Sequence, residues 1–384
     1  MMAPLCRMKS IYRFLLWVLL LPTISLAQEP EEKLRIEGYL KDLINFTLVE
    51  DSDSLIIDNL VHNRLNFFWY ATEKFSANIE LRTRFLSGDL ARNVPVYGQV
   101  VDVNNDYFDL SYTYDNDQVV FHSMIDRLNL KWNEASWELK VGRQRINWGV
   151  NVAWNPNDIF NAYSLYDFDY EERPGTDAIR FQKFIGYAGG YEIAIKMADS
   201  WEDLIAAGMY KWNIKGYDLQ ALGGIMKNNL TVGGGWAGNL GLVGFKGEFN
   251  YFHALSNQER NAFLASVSFD YSLKNSLYFN GSFFYNSYAN NTGNILLMSP
   301  ANIDVRSLSP YKMNTFLQSS YVFHPLISGG LMLLYYPSAS GIFLNPSITL
   351  SALNNFDIDL ISQIFIQQYT NQLFSGYLRL KYSF

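Results

Sequence analysis

Alternation of apolar and polar residues constrains the fold of this chain more than any other feature. From Leu34 onward, segments of roughly 9 to 15 residues repeat with a period of two, and turn residues separate them. Strands of about 9–11 residues, tilted by about 45°, have the length that crosses a bilayer as a barrel. We count eighteen segments, at about 34–48, 59–71, 75–86, 120–132, 135–145, 177–185, 189–197, 204–213, 216–226, 229–238, 240–254, 261–273, 276–288, 313–324, 326–337, 341–352, 356–367 and 372–384.

The connections between the segments have unequal lengths. If both ends of the chain lie on one side, the long connections, 87–119, 146–176 and 289–312, all fall on the other side, and the tight turns fall together. Outer-membrane barrels have this asymmetry, whereas a sandwich or a propeller has no reason for it. The predicted fold is therefore an all-β, transmembrane, antiparallel up-and-down β-barrel of about 18 strands, with 16 strands as the alternative.

Composition agrees with a barrel. Aromatic residues make up 16% of the chain and charged residues only 17%, while the mean hydropathy is -0.07. Alternating lipid-facing and water-facing residues give this combination. A closed barrel is also the only sheet without unpaired edges in lipid.

The first 27 residues have the pattern of a secretory signal. Basic residues precede the apolar run Phe14 to Leu21, and small residues precede a cleavage site after Ala27. The predicted division is thus a signal peptide, 1–27, and a barrel, 28–384. Cleavage removes the one cysteine, Cys6, and changes the formal net charge from -7 to about -10. A mature chain without thiols has no disulfides or thiolate metal sites, and its acidity argues against binding nucleic acid.

Successive side chains of a strand point to opposite faces of the sheet, so the even or odd position of a residue (its parity) assigns it a face. A charge on the lipid face at mid-membrane costs about 2–4 kcal/mol, so charged residues are expected inside. Five arginines on neighbouring strands then form a basic wall in the lumen: Arg64, Arg82, Arg84, Arg127 and Arg180.

The connection 146–176 is expected to fold into the lumen. It has no strand or helix period, but it contains too many aromatic residues to remain in water. Five of its carboxylates are candidates for a constriction: Asp158, Asp167, Asp169, Glu171 and Glu172. Opposite an arginine wall, they would select solutes by size and charge. In a second interpretation the arginines only neutralise these carboxylates and hold the loop in place.

Two further arginines do not fit the alternation. Arg143 and Arg145 continue the phase of Leu139 and Val141, which face lipid. Either Gly142 forms a β-bulge that turns both arginines inward, which we favour, or the strand has already reached the headgroups.

The stretch Gly142-Arg143-Gln144, Trp148-Gly149 and Asn155 to Phe160 resembles a motif of porin-like families. The aromatic closing strand that ends at Phe384 resembles the assembly signal of Gram-negative outer-membrane β-barrels. The resemblance implies an outer-membrane location, and as partners it implies lipid, lipopolysaccharide, the barrel assembly machinery and small hydrophilic solutes. A homo-oligomer is left open.

The function predicted on these grounds is passive diffusion of small hydrophilic solutes through an outer-membrane channel. The alternative is a non-conducting barrel that binds polysaccharide or capsule at the cell surface. Enzymatic activity is not expected, because the four histidines lack metal-ligand spacing and the mature chain has no cysteine nucleophile. A serine near His62 or His253 in the lumen, as in a barrel phospholipase, would be an easy chance match because serine is abundant. No cofactor or metal is predicted.

Overall fold

The computed structural model describes residues 33–49, 54–102, 106–163, 165–166, 172–257, 259–291, 304–367 and 373–384. The predicted signal peptide lies outside these residues. The described residues form nineteen strands, in chain order β1 (Leu34–Val49), β2 (Ser54–Tyr70), β3 (Phe75–Gly88), β4 (Ser111–Asp115), β5 (Val119–Glu134), β6 (Trp137–Gln144), β7 (Thr176–Ile185), β8 (Gly189–Lys196), β9 (Ile205–Ile214), β10 (Tyr217–Met226), β11 (Asn229–Leu240), β12 (Val243–Ala254), β13 (Ala262–Ser272), β14 (Tyr278–Asn286), β15 (Met313–His324), β16 (Ile327–Tyr336), β17 (Gly341–Leu353), β18 (Phe356–Gln367) and β19 (Leu373–Ser383).

Eighteen of these strands close into one antiparallel barrel, as the alternation predicts. Each barrel strand pairs with its neighbours in sequence, and β1 closes the ring by pairing with both β2 and β19. The backbone of Phe384 exchanges two hydrogen bonds of 2.9 Å with Gly38, which extends the closing ladder to that residue.

The strand β4 is the additional strand, and the sequence analysis treated it as part of a loop. It pairs with the first half of β5 (Ser111 opposite Met124), on the side where β6 pairs with the second half. In the part of the chain that the structure describes, two short helices, Asp89–Asn93 and Tyr97–Val101, precede β4, and two 3-10 turns, Val305–Ser307 and Pro337–Ala339, lie in later connections. Among the described residues, no helix is long and apolar enough to span a membrane.

Side chains alternate between two faces along the strands. On β5, for example, Leu130 and Trp132 are about half exposed, whereas Arg127 and Asn129 are buried. Exposed apolar residues on one face and buried polar residues on the other are the pattern of a barrel in lipid.

The predicted bulge at Gly142 is wrong. The ladders of β6 with β5 and β7 run through Gly142 without a register shift. The irregularity lies on the neighbouring strand instead, where Asp126 is the extra residue of β5. Gly142 has φ +112° and its Cβ position lies 2.2 Å from the Leu128 carbonyl oxygen, so only glycine fits there.

Arg143 is buried without a bulge. Its guanidinium group donates to both carboxylate oxygens of Asp177 at 2.9 Å and to the carbonyl oxygen of Phe108. The segment around Phe108 therefore covers the pair above the end of β6.

Candidate functional site

The long connection between β6 and β7 packs its apolar residues against inward-facing side chains of the barrel. Six of its described hydrophobic residues are buried: Ile146, Trp148, Ala153, Trp154, Ile159 and Phe160. They belong to one cluster with strand residues that include Ala194, Leu222, Phe252, Phe284, Phe316 and Phe343. Since these residues come from β8, β10, β12, β14, β15 and β17, the loop touches a long arc of the wall.

Two tryptophans attach the loop to this arc. Trp154 stacks on Phe284 at 5.3 Å and meets Phe316 edge-on at 6.2 Å. Trp148 donates its indole N–H to Glu192 at 2.7 Å. Large aromatic rings bury a large apolar area and also prefer particular orientations toward each other, so these contacts favour one position of the loop.

Glu248 of β12 is the polar anchor of the loop. Its Oε1 accepts the backbone N–H groups of Val150 at 3.0 Å and Asn151 at 3.2 Å, and its Oε2 accepts that of Asn157 at 2.9 Å. One buried carboxyl thus receives three loop N–H groups; the Asn151 N–H also donates to Asn155 Oδ1 at 2.9 Å, whereas Glu248 is the acceptor that satisfies those of Val150 and Asn157. The sequence analysis missed Glu248. The available signal was a carboxylate at an inward-facing position of β12, two residues after the inward-facing Lys246.

The triple glycine of β11 provides a recess for the loop. The side-chain amide of Asn157 donates to the Gly234 carbonyl oxygen at 2.9 Å. A Cβ at Gly233 would lie 2.5 Å from Asn157 Oδ1 and 2.9 Å from the Phe249 carbonyl oxygen. These glycines therefore allow close packing of the loop, one of the two uses expected of glycine inside a strand.

Gly233→Ala is expected to displace Asn157 and to loosen the loop, because overpacking costs about 1–3 kcal/mol. Gly223→Ala is the matched control, since the nearest atom to its Cβ position is the Thr231 carbonyl oxygen at 3.6 Å. Limited proteolysis of the loop in the folded barrel measures the effect. Equal cleavage in both variants would contradict a packed recess.

Asp158 lies beside this anchor and is fully buried. Burial raises the pKa of Asp158 from 3.8 to about 7, while the Arg145 and Arg173 guanidinium groups and the backbone N–H of Trp148 act in the opposite direction. Asp158 thus packs near two arginines of its own loop and not against the five-arginine wall.

The raised pKa of Asp158 predicts a pH dependence of loop packing. Between about pH 4 and pH 7 the packed loop retains a proton that a released, hydrated loop would lose. Packing is therefore most stable below about pH 4, weakens as the pH rises to about 7, and stays level above it. In single-channel records, the frequency of closures caused by the packed loop should therefore be highest below about pH 4, fall as the pH rises to about 7, and stay level above it. Asp158→Asn should abolish this pH dependence, whereas the same course in both proteins would contradict the assignment.

The far end of the loop reaches the arginine wall. Glu172 accepts a hydrogen bond from the Tyr39 hydroxyl at 3.0 Å and lies 3.7 Å from Arg64. Arg127 donates to the carbonyl oxygens of Glu172 and Arg173. The predicted site residues Asp167, Asp169 and Glu171 lie outside the described residues.

The wall arginines pair mainly with carboxylates of the strands. Arg64 is fully buried and contacts Asp126 at 2.7 Å and Glu80 at a shorter distance. Arg180 contacts Glu138 at 2.7 Å. These strand carboxylates were not among the predicted site residues. Parity places Glu80 and Glu138 inside, whereas Asp126 is the extra residue of β5 and its position does not follow from parity.

Arg82 and Arg84 lie in a broader set of basic side chains. Arg84 donates to the Val101 carbonyl oxygen at 2.8 Å and lies 3.1 Å from a ring nitrogen of His122. Arg82 is buried on the same strand. Strand register places five basic residues in one row across β19, β1, β2, β3 and β5: Lys381, Lys41, His62, Arg84 and His122.

Comparison with solved structures identifies the same architecture elsewhere. The chain matches Pseudomonas aeruginosa OccK5 (OpdH) with a TM-score of 0.58 at 11% identity, over 92% of this chain and 98% of that one. It matches P. aeruginosa OpdQ with 0.57 at 10%, over 92% and 99%, and Acinetobacter baumannii OccAB4 with 0.57 at 10%, over 93% and 100%. These neighbours are outer-membrane porins, and at such identities the likeness shows the fold.

No protein-family model matches the chain, and no curated protein matches it.

Proposed function

We propose that this protein is an outer-membrane channel for passive diffusion of small hydrophilic solutes, and that the 145–175 connection narrows its lumen. The observation that carries the proposal is the attachment of this connection to inward-facing residues over most of the barrel. Its first half packs on the wall from β8 to β15. In its second half, Tyr166 packs on Phe343 of β17, and Glu172 and Arg173 reach Arg64 and Arg127. A loop held on both sides of a closed barrel reduces the cross-section open to solutes.

The remaining passage runs along the basic row from β19 to β5. The apolar part of the loop lies on the other strands, where it excludes water, whereas the partly exposed Arg84 and Lys381 lie on the side that the loop leaves polar. Solutes would therefore meet fixed positive charge at the narrow level. Charged rings of this kind set the ionic preference of a pore.

The wall carboxylates change the role proposed for the loop acids. Because Asp126, Glu80 and Glu138 already pair with Arg64 and Arg180, Glu172 is the described loop carboxylate that faces the wall. We propose that Glu172 both holds the loop and contributes charge to the constriction, while Asp158 supports loop packing.

A non-conducting barrel that binds polysaccharide is the second candidate. The observation that favours it is dense packing at the level of the wall, where Lys41, His62 and Arg64 are fully buried. Such packing would suit a closed lumen behind an exposed binding surface.

Liposome swelling separates the two functions. Purified protein in liposomes should admit sugars at rates that fall with their size, and Glu248→Ala should shift the cut-off toward larger sugars. No swelling with any sugar, together with binding of surface polysaccharide by intact cells, would favour the second candidate.

A further inference from the structure

The outer face of the barrel contains a polar patch on four adjacent strands. Residues of this lipid-side patch are Asp42 on β1, Asn59 and Asn63 on β2, Thr83 on β3 and Ser123 on β5. Strand register fixes their direction. Asp42 is opposite Leu380 and Val61, and Thr83 is opposite Asn63 and Ser123.

These residues alternate with the buried basic wall. Lys41 and Leu43 flank Asp42 in the chain and are both buried inside, as are His62 and Arg64 on either side of Asn63. The patch residues are half-buried. Parity therefore turns the carboxylate of Asp42 away from the lumen.

The patch lies within the apolar belt and not beyond its edge. On β1, exposed Ile36 precedes Asp42 and exposed Phe46 follows it; on β3, exposed Ile79 precedes Thr83 and exposed Phe85 follows it. Exposed apolar side chains thus lie before and after the patch along each strand, and these side chains contact the lipid tails. The polar groups between them would face the same hydrocarbon in an isolated barrel.

Hydrogen bonds within the patch satisfy its groups only in part. Asn59 donates to Asp42 Oδ1 at 2.6 Å, and the hydroxyl groups of Thr83 and Ser123 are 3.0 Å apart. A carboxylate has about four acceptor positions, and a pair of hydroxyl groups retains one hydrogen to donate. Lipid tails offer no partner for either, so a polar surface should cover them.

We propose that the lipid-side patch is the interface through which this barrel associates with a second copy of itself in the membrane. The patch carries an acceptor in Asp42 and donors in Asn59, Thr83 and Ser123, so two copies can supply each other with hydrogen bonds. Membrane association favours small polar residues that hydrogen-bond across the contact. Symmetric assembly of identical chains is the usual arrangement for oligomers, and lipopolysaccharide presents only acyl chains at this depth.

Photo-cross-linking in the native membrane tests the location of the interface. A benzophenone amino acid at Leu40, between the patch and the belt below it, should give an adduct with the mass of two chains. The same amino acid at Val267, on the outward face of β13, is the matched control and should give none. Adducts of equal yield at both positions, or only lipid adducts at Leu40, would overturn the proposal.

Asp42→Leu tests the chemistry of the contact. If a second copy covers Asp42, this variant should be extracted as a monomer, whereas the wild-type protein should keep the mass of an oligomer by native mass spectrometry. If lipid covers Asp42, the variant should keep the wild-type mass and unfold at a higher urea concentration, because a charge has left the hydrocarbon. That second result would overturn the proposal, as would a monomeric wild-type protein.

Discussion

Replacing Glu248 by alanine is expected to release the loop and to raise the conductance of the barrel. The change removes the acceptor of the Val150 and Asn157 N–H groups and one of the two acceptors of the Asn151 N–H, which also donates to Asn155 Oδ1. Each buried N–H left without a partner costs about 1–3 kcal/mol, and each 1.4 kcal/mol changes the ratio of released to packed loop about tenfold. Single-channel recording should therefore show larger and noisier steps.

Two further variants calibrate this result. Glu248→Gln keeps one acceptor oxygen and should fall between alanine and wild type. Asp270→Asn is the matched control, because this inward-facing carboxylate of β13 pairs with Lys246 at 3.3 Å and should leave the steps unchanged. Wild-type steps in Glu248→Ala would show that the anchor does not set the open cross-section.

Replacing Arg64 by alanine is expected to cause the largest loss of stability. Arg64 is fully buried and lies within 4 Å of carboxylate oxygens of Asp126, Glu80 and Glu172. Removing one partner of a buried ion pair costs about 3–5 kcal/mol, because the remaining charge is left without compensation. The folded barrel can be followed as the gel band that shifts on heating. The urea concentration at which half of this band is lost should be lower for the variant than for the wild-type protein.

Arg35→Ala is the control for Arg64. Arg35 also forms an ion pair, with Glu37 at 3.4 Å, but both side chains are more than 40% exposed. Exposed pairs contribute about 0–1 kcal/mol. Equal losses in the two variants would mean that the wall arginines act only as surface charges.

The barrel was predictable from the sequence because its determinants are local. Lipid imposes apolar residues at every second position, and turn residues mark the ends of strands, so parity alone placed Arg64 and Arg127 on the inner face. The same reasoning could not find β4, since its five residues pair with the half of β5 that β6 leaves free. Which part of β5 is left unpaired depends on where β6 ends, and this is determined only in the assembled sheet.

The partners of the site residues were less predictable than their faces. Asp158 was expected opposite the arginine wall, but the loop path carries it toward Arg145 and Arg173. Glu248 and Asn157 are 91 positions apart in the sequence, and nothing local signals their contact. The bulge at Asp126 was equally hidden, because an extra residue in one strand leaves its alternation readable on both sides.

Recording of single channels in a planar bilayer, with a salt gradient across it, tests the central claim most directly. The account predicts discrete steps for the wild-type protein and larger steps when the loop is released by Glu248→Ala. It also predicts a shift of the reversal potential toward cations in Arg82→Ala/Arg84→Ala, visible at about 0.1 M salt, where the Debye length is about 10 Å, and lost near 1 M. A wild-type protein that inserts but shows no steps, and stays silent after Glu248→Ala, would contradict it.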